Sequence, residues 1–153
     1  MKEKPKWLTN EAFLKSFEDV PRFAVNLVIT NRMGDVLLTK RNIPPGEGMW
    51  HIPGGFLLKN ESLTEAKKRI AKKEFNLDLE GRDPYLKGVF EDLEGDERGH
   101  IIDSVFGLRV EDDEIDKIEV TEENGEVRFF SKLPKNVGFN HRDTLHRLGY
   151  EDE

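Results

Sequence analysis

Apolar and polar residues alternate along the first third of the chain in a way that predicts one helix and a strand hairpin. Apolar residues recur at helical spacing within 9–20, and Pro21 follows, so we expect a short amphipathic helix there. Residues 23–30 are rich in Val, Leu and Ile, and residues 36–40 form a second apolar run. The turn-forming segment 31–35 separates them, which predicts two strands joined as a hairpin.

The rest of the chain alternates between predicted strands and helices. Residues 41–48, with their prolines and glycines, predict a loop. Ser62 followed three positions later by Glu65 is a capping box, which starts a helix that we expect to reach about Phe75. Apolar patterns predict three further strands and a terminal helix: 85–93, 100–110, 127–130 and 140–146. This order indicates an α/β fold, a sheet covered by helices on its two faces.

Composition and charge narrow the class of protein. The chain has 153 residues, of which 36% are hydrophobic and 36% are charged, and this balance suits one domain spanning 1–153. The net charge of -7 and the acidic runs 91–96 and 111–116 repel a nucleic-acid backbone, so we expect no duplex partner. The chain has no cysteine and no apolar run long enough for a signal peptide or membrane span. We therefore expect a cytoplasmic protein without a membrane partner.

A glycine-rich motif at 48–55, Gly-Met-Trp-His-Ile-Pro-Gly-Gly, precedes three charged residues at fixed intervals, Glu61, Arg69 and Glu74. Counted from Gly55, the arrangement resembles the Nudix box, whose pattern is G-x5-E-x7-R-E-U-x-E-E-x-G-U with U a large apolar residue. The resemblance implies a Nudix-type α/β/α sandwich with a central mixed β-sheet. Within the box, Gly55, Glu61 and Arg69 are predicted to be scaffold residues, with Glu61 and Arg69 paired to brace the loop on the helix.

Three positions depart from the Nudix box. Ile70 and Lys73 stand where glutamates are usual, and Asn76 stands where a glycine usually ends the helix. Glutamates at 70, 73 and 74 would share one helix face, so Glu74 is the carboxylate that remains on it. The chain is similar in this respect to the GDP-mannose mannosyl hydrolase branch of the Nudix family, whose box also keeps the last glutamate alone. That branch implies a nucleoside diphosphate sugar as the substrate.

The same branch implies a cation and the residues that would hold it. A diphosphate carries closely spaced negative charges, so a divalent cation, Mg²⁺ or Mn²⁺, is expected, and hard cations choose oxygen ligands. The resemblance implies that Glu74, the carbonyl of Gly54 and Glu123 bind this metal. It also implies that Arg41 donates hydrogen bonds to the diphosphate, where negative charge grows in the transition state.

The general base is expected among a few residues. In the branch that this chain resembles, a histidine follows the loop metal ligand, but here Asn124 occupies that place and cannot take a proton near neutral pH. We therefore expect His100, or one of the loop acids Glu122 and Glu126, to serve as the base. The residue after the double glycine also differs, since the branch has an arginine there and this chain has Phe56.

Three functions fit these residues. Water attack on the anomeric carbon of the sugar is the leading interpretation, because a single metal then needs only to stabilise the departing nucleoside diphosphate. The second is the usual Nudix attack on phosphorus, which gives a nucleoside monophosphate and a sugar phosphate. The third is a catalytically silent Nudix domain that binds a nucleotide or a protein partner, since Ile70, Lys73 and Asn124 are not acidic.

Four residues near the chain ends are expected at the surface. His141 and His146 lie close to the C-terminus and are expected to face solvent. Trp7 and Phe13 lie in the N-terminal segment and are candidates for a homodimer contact.

Overall fold

The computed structural model of the protein describes residues 2–119 and 124–153. Within these residues it has four helices and seven strands, in the order α1 (Asn10–Asp19), β1 (Arg22–Thr30), β2 (Val36–Arg41), β3 (Trp50–His51), β4 (Gly54–Phe56), α2 (Leu63–Phe75), β5 (Tyr85–Asp92), β6 (Ile101–Arg109), α3 (Asp112–Ile115), β7 (Asn124–Phe130) and α4 (His141–Arg147). The predicted hairpin, the capped middle helix and the terminal helix are all present. The described part of the chain holds no helix with the length and apolar character that a membrane crossing requires.

The sheet is mixed, as the resemblance to the Nudix fold predicted. β1 lies parallel to β6 along its whole length, from Arg22 opposite Ile101 to Thr30 opposite Arg109, and β5 pairs antiparallel with β6. On the other side β2 joins β1 through the hairpin and also pairs with β3 and β7. β4 turns back onto β1 as an antiparallel partner. The parallel pairing brings β6 beside β1 although β2 to β5 and α2 separate them in sequence.

One face of the sheet is covered by α2. Ser62 caps this helix by accepting a hydrogen bond from the Glu65 N–H at 3.1 Å. Asn76 ends it with φ of 56°, a left-handed conformation that asparagine tolerates well, which explains why the usual glycine is dispensable there. Ile70 and Phe75 pack into a core formed with the alternate β1 residues Val25, Leu27 and Ile29.

The opposite face of the sheet is covered by α4 and by the N-terminal helix. Leu145 of α4 packs in a second core with Val28 of β1 and Val105 of β6. α1 forms a third and smaller core, in which buried Phe17 contacts Ala24 and Ile101. Helices therefore lie on both faces of the sheet, and this arrangement is the predicted α/β/α sandwich.

Two elements were not predicted from the sequence. β4 begins at the double glycine, a pair typical of turns, but Gly54 pairs with Asn26 so closely that a Cβ there would lie 2.0 Å from the Asn26 Oδ1. α3 lies in the acidic run 111–116, where no helix was predicted, and Glu111 and Glu114 form a capping box at its start. In both places local composition was overridden by pairing and capping contacts.

The aromatic residues of the N-terminal segment differ in exposure. The ring of Phe13 packs edge-on against Phe17 at 5.3 Å and Phe56 at 5.5 Å between centroids, so it belongs to the third core and is half-buried. Trp7 is 59% exposed and lies over the cations of α2, with its ring 5.0 Å from the Arg69 guanidinium. The homodimer contact stays a prediction that Trp7 supports better than Phe13.

Candidate active site

A cavity of about 770 Å³ opens where α2, β4 and the end of the sheet meet. It is lined by charged, polar and aromatic side chains from most elements of the fold. Those that bear on function are Arg22, Asn26, Arg41, His51, Gly54, Gly55, Phe56, Arg69, Lys73, Glu74, Asp92, Asp96, Arg98, Asp103, Phe139 and His141. The cavity therefore collects Arg41, Gly54 and Glu74, three of the residues that the sequence assigned to metal and diphosphate binding.

The wall formed by α2, here called the helix wall, presents one carboxylate of the Nudix box. Glu74 is 7% exposed, and its Oε2 accepts a hydrogen bond from the Asn124 side-chain amide at 2.6 Å. Ile70 points into the core with 1% exposure, which explains why an apolar residue is tolerated there. Lys73 is exposed at the cavity wall, with its ammonium 5.2 Å from the centroid of the Trp7 ring. The helix wall thus combines one acid with nearby cations.

The pair formed by Glu61 and Arg69 braces the box. Arg69 donates from Nε to Glu61 Oε2 at 2.7 Å and from Nη2 to Glu61 Oε1 at 3.0 Å, and its Nη2 also donates to the Phe56 carbonyl at 3.0 Å. The Leu58 N–H donates to Glu61 Oε1 at 3.1 Å. These contacts tie the loop before α2 to the helix, as predicted for the pair, and leave the glutamate satisfied although it is buried.

Arg41 lies at the end of β2 and lines the cavity. Its Nε donates to the carbonyl of Pro45, and its guanidinium lies 5.5 Å from the centroid of the Phe139 ring. The contacts with the loop and the ring hold the guanidinium on the cavity wall, where an anionic group is its natural ligand.

Two buried histidines hold the backbone just before the double glycine. His51 donates from Nδ1 to the Ile52 carbonyl at 2.8 Å, and the Ile52 N–H donates to His141 Nδ1 at 2.9 Å. Because a carbonyl only accepts, neutral His51 carries its proton on Nδ1, and its Nε2 accepts from the Thr39 hydroxyl at 3.0 Å. Burial lowers the pKa of His51 to about 4 and that of His141, with a smaller effect of His51, to about 3. Both rings are therefore neutral at physiological pH.

The expectation that His141 faces solvent was wrong. Its side chain is 6% exposed because α4 packs its first turn against the end of β3, where the ring accepts the Ile52 N–H. His146, one turn later, does lie at the surface, where its Nε2 contacts Asp152 at 2.9 Å. A helix of seven residues makes only about two turns, too few for its apolar spacing to show which histidine points inward.

The residues expected to supply the base are not collected on the cavity wall. His100 is half-buried just before β6, and among the described side chains its Nε2 is a buried atom with no hydrogen-bond partner, but it does not line the cavity. Glu126 pairs with Arg128 on β7. Glu122 and Glu123 lie outside the described residues. The base and the third metal ligand therefore stay predictions.

A second acidic wall, here called the sheet wall, was not predicted. Asp92, Asp96 and Asp103 are 2%, 4% and 4% exposed and all line the cavity. Asn26 of β1 donates from its side-chain amide to Asp103 Oδ1 at 2.8 Å. Burial, together with the charges of Asp92 and Asp96, raises the pKa of Asp103 to about 6, against the lowering effect of the Asn26 hydrogen bond. The available signal was an aspartate within the apolar run of the strand after His100.

Two arginines cover the aromatic cluster beside the sheet wall. The guanidinium carbons of Arg22 and Arg98 lie 5.0 and 5.4 Å from the centroid of the Phe56 ring. Arg98 also pairs with Asp96 at 2.7 Å, whereas Arg22 donates to the Ser16 hydroxyl. Burial and the neighbouring Arg98 lower the pKa of Arg22. Phe56 replaces the arginine of the resembling branch, yet two guanidinium groups lie against its ring.

The donor atoms at the helix wall are of the chemical type that a hard divalent cation binds. The candidate donors are oxygens, a carboxylate of Glu74 that is buried on the cavity wall and the carbonyl of Gly54. Among residues 2–119 and 124–153, no group of three or more His, Cys, Asp or Glu side chains is arranged to hold a metal. Glu123, to which the resemblance assigns a further oxygen ligand, lies outside these residues, so that assignment stays a prediction.

Comparison with known proteins gives three related findings. Residues 20–147 match the family described as NUDIX domain. The chain is 34% identical over 120 residues to the low-salt glycan biosynthesis protein Agl8 of Haloferax volcanii, covering 73% of this chain and 72% of that protein. It is also 34% identical over 127 residues to an ADP-ribose pyrophosphatase of Methanocaldococcus jannaschii, covering 82% and 71%.

A solved structure agrees in fold. The MutT NUDIX hydrolase of Burkholderia pseudomallei is 23% identical and superposes with a TM-score of 0.72, covering 85% of this chain and 99% of that one. Nudix hydrolases generally use divalent metals.

Proposed function

Because the chain belongs to the Nudix family of hydrolases, we propose that it hydrolyses a nucleoside diphosphate sugar with a divalent cation, releasing the sugar and the nucleoside diphosphate. GDP-mannose is the member of this substrate class that the resemblance to the mannosyl hydrolase branch suggests. The proposal concerns the bond that is broken, between the anomeric carbon and the diphosphate oxygen.

The observation that carries the proposal is the single box carboxylate on the helix wall. Of the three helix positions that usually bear glutamates, Ile70 lies in the core and Lys73 brings a positive charge, so Glu74 alone provides an acid. Attack on phosphorus needs water activated beside the phosphoryl group, which several carboxylates and metals usually provide. Attack on the anomeric carbon requires of the metal only that it stabilise charge on the leaving group, and one metal with one helix carboxylate is sufficient for that.

The cation would be Mg²⁺ or Mn²⁺, held by Glu74, the Gly54 carbonyl and Glu123. When bound, it would neutralise the diphosphate and so make it a better leaving group. Glu74 is prepared for such a role because the Asn124 amide holds its carboxylate at 2.6 Å. Gly54 is prepared because its close pairing with Asn26 fixes its backbone.

Cationic side chains around the cavity suit a diphosphate. Arg41 and Lys73 line it near the helix wall, and we assign the diphosphate to them because negative charge develops there as the bond breaks. Arg22 and Arg98 offer further positive charge against the Phe56 ring. They can take over the electrostatic task of the arginine that the resembling branch carries at this position.

A second candidate is attack on phosphorus, releasing a nucleoside monophosphate and a sugar phosphate. It is favoured by the relative from Methanocaldococcus jannaschii, which is named an ADP-ribose pyrophosphatase. Both reactions use the same diphosphate and the same cation, so they differ in which atom the water attacks.

Hydrolysis in ¹⁸O-labelled water separates the two reactions. The protein, with Mg²⁺ or Mn²⁺, is incubated with a panel of nucleotide sugars and ADP-ribose, and products are identified by phosphorus NMR and mass spectrometry. The proposal expects a nucleoside diphosphate without label and a sugar that carries it. Label in a phosphate product would establish phosphorus attack instead. No turnover across the panel, with nucleotide binding that Glu74→Gln leaves unchanged, would establish a silent binding domain.

A further inference from the structure

The sheet wall of the cavity holds a buried carboxylate for which the Nudix box has no role. Asp103 lies on β6 opposite Ala24 of β1, and the side chains of these two residues share the face of the sheet turned away from α2. Its carboxylate lines the same cavity as Glu74, which is carried by α2 on the other face. The cavity thus has an acid at each of two walls built from different layers of the fold.

From this geometry we infer that Asp103 is the general base, the group that accepts a proton from the water that attacks the substrate. The inference rests on the proposed hydrolysis of a nucleoside diphosphate sugar. Displacement at a carbon centre requires the water to approach from the side opposite the leaving group. With the diphosphate held at the helix wall by Arg41 and Lys73, the sugar ring extends toward the sheet wall, and the water meets Asp103.

Contacts within the sheet wall orient and tune this carboxylate. The Asn26 amide donates to Oδ1 at 2.8 Å, which leaves Oδ2 as the oxygen available for a proton. The charged groups around it are Asp92 of β5 and, from the loop before β6, Asp96 with its partner Arg98. Asp92 and Asp96 disfavour the charged form of Asp103, as burial does, so its basicity is greater than that of an exposed aspartate.

The proposed step balances in atoms and charge. The water oxygen forms a bond to the anomeric carbon, and one water proton passes to Oδ2 of Asp103. The bond between the anomeric carbon and the diphosphate oxygen breaks, and its electron pair leaves with the nucleoside diphosphate. Asp103 then returns the proton to solvent, so no further reactant is needed.

The inference is tested with Asp103→Asn, which keeps the acceptor for Asn26 and removes the proton acceptor. We expect kcat to fall by about 100- to 10,000-fold with KM changed little, as for loss of a general base. The acid limb of the wild-type pH profile, expected near pH 6 from the pKa of Asp103, should disappear from the residual activity. Formate should restore activity to Asp103→Ala by acting as an external base. The matched control is Asp113→Asn on the exposed side of α3, which should keep wild-type kcat.

A measurement of thermal stability shows whether Asp103→Asn is still folded when its activity is lost. The folded-state pKa of Asp103, about 6, is raised above the ordinary value of 3.8, so stability is lost as the pH rises between these two values and the loss is complete above pH 6. Asp103→Asn should therefore melt a few degrees higher than wild type at pH 7.5 and differ less at pH 4.5. A more stable protein that has lost kcat supports the inference.

The outcomes separate the inference from the proposed function. Wild-type turnover with ¹⁸O in the sugar and an unchanged kcat in Asp103→Asn would overturn the inference alone. Label in a phosphate product would overturn the proposed function, and the Asp103 variants would still decide whether this residue is the proton acceptor. No wild-type turnover across the panel would overturn both.

Discussion

The two walls of the cavity place their charges in opposite electrostatic settings. On the helix wall Glu74 accepts from the Asn124 amide, and two cations of the same helix, Arg69 and Lys73, also line the cavity. On the sheet wall Asp103 has one neutral donor and two acidic neighbours. The helix wall therefore stabilises negative charge, and the sheet wall makes a carboxylate more basic. A cavity with both can hold a cation at one end and take up a proton at the other.

The residues of the box motif and Asp103 also differ in what their side chains contact. Glu61 and Arg69 are signature residues of the box, and their contacts hold the scaffold together, since they pair with each other and contact the Phe56 carbonyl, the Leu58 N–H and the Trp7 ring. Asp103 belongs to no motif and lies on the cavity wall. A motif thus identifies the scaffold of a site more reliably than it identifies every group that reacts there.

On the helix-wall side of the comparison the largest effect is expected from Glu74→Gln, which tests whether the cation binds at this wall. The amide still accepts from Asn124, so the fold should survive, but the charge that binds the metal is gone. We expect kcat/KM to fall by about 100- to 1,000-fold, in the range seen for loss of a group that stabilises developing charge. Steady-state assays with a titration of Mg²⁺ measure this. Glu18→Gln on α1 is the matched control, and equal activity of the two variants would contradict a metal role.

The next variant, Arg69→Met, tests whether Glu61 and Arg69 have a structural role. Arg69→Met leaves Glu61 buried without its charge partner, and breaking a buried ion pair in this way costs about 3 to 5 kcal/mol. The midpoint of thermal unfolding should drop by roughly 10 °C.

The double variant Glu61→Leu with Arg69→Met serves as the control for that experiment. Replacing both partners by apolar side chains should recover most of the lost stability, because no charge remains buried. If the double variant is as unstable as Arg69→Met alone, the pairing is not the source of the effect.

Acid should destabilise the protein through the two buried histidines. Their folded-state pKa values, about 4 for His51 and about 3 for His141, lie below the unfolded value of 6.5. The stability they provide is present above pH 6.5 and is lost as the pH falls toward these values, by about 3 kcal/mol for each histidine near pH 4. Asp103 acts in the opposite direction between pH 6 and 4, since protonation relieves its burial.

Urea unfolding between pH 7 and pH 4 measures this acid sensitivity. His141→Asn keeps an acceptor for the Ile52 N–H and should flatten the pH dependence, whereas His146→Asn at the surface should leave it steep. Equal slopes in the two variants would show that burial of His141 does not control acid stability.

The smallest effect on stability is expected from alanine substitutions at Gly54 and Gly55, the first two residues of β4. A Cβ at Gly54 would lie 2.0 Å from Asn26 Oδ1 and 2.5 Å from the Val25 carbonyl, so Gly54→Ala must displace strand β1 or β4. At Gly55 the nearest atom would be Ile70 Cγ1 at 3.6 Å, an ordinary contact. We expect Gly54→Ala to cost about 1 to 3 kcal/mol and Gly55→Ala less, by thermal or urea unfolding. A reversed order would mean that β4 does not pair with β1 as described.

Much of the fold was predictable because its signals are local. Helical spacing predicted α1, two apolar runs on either side of a turn predicted the hairpin, and the serine cap predicted the start of α2. The double glycine with Glu61 and Arg69 at fixed intervals predicted the family and hence the sandwich. β4 and α3 were missed because strand pairing and capping contacts overrode a glycine-rich and an acidic composition.

The residues of the candidate site were likewise predicted only in part. Glu74, Gly54 and Arg41 were expected from the family resemblance, and all three line one cavity. His141 was misplaced because a short helix gives little indication of its buried face. His100 stayed a prediction, and the sheet wall was not expected at all.

From the amino-acid sequence alone we could predict most helices and strands of this protein, its family and the loss of two glutamates from its box helix. Which charges share a cavity wall depends on the tertiary structure. Asn26 and Asp103 are 77 positions apart and meet because β1 and β6 pair in parallel in one register. A shift of that register by one residue would turn Asp103 to the other face, and no local pattern of apolar and polar residues records such a choice between distant strands.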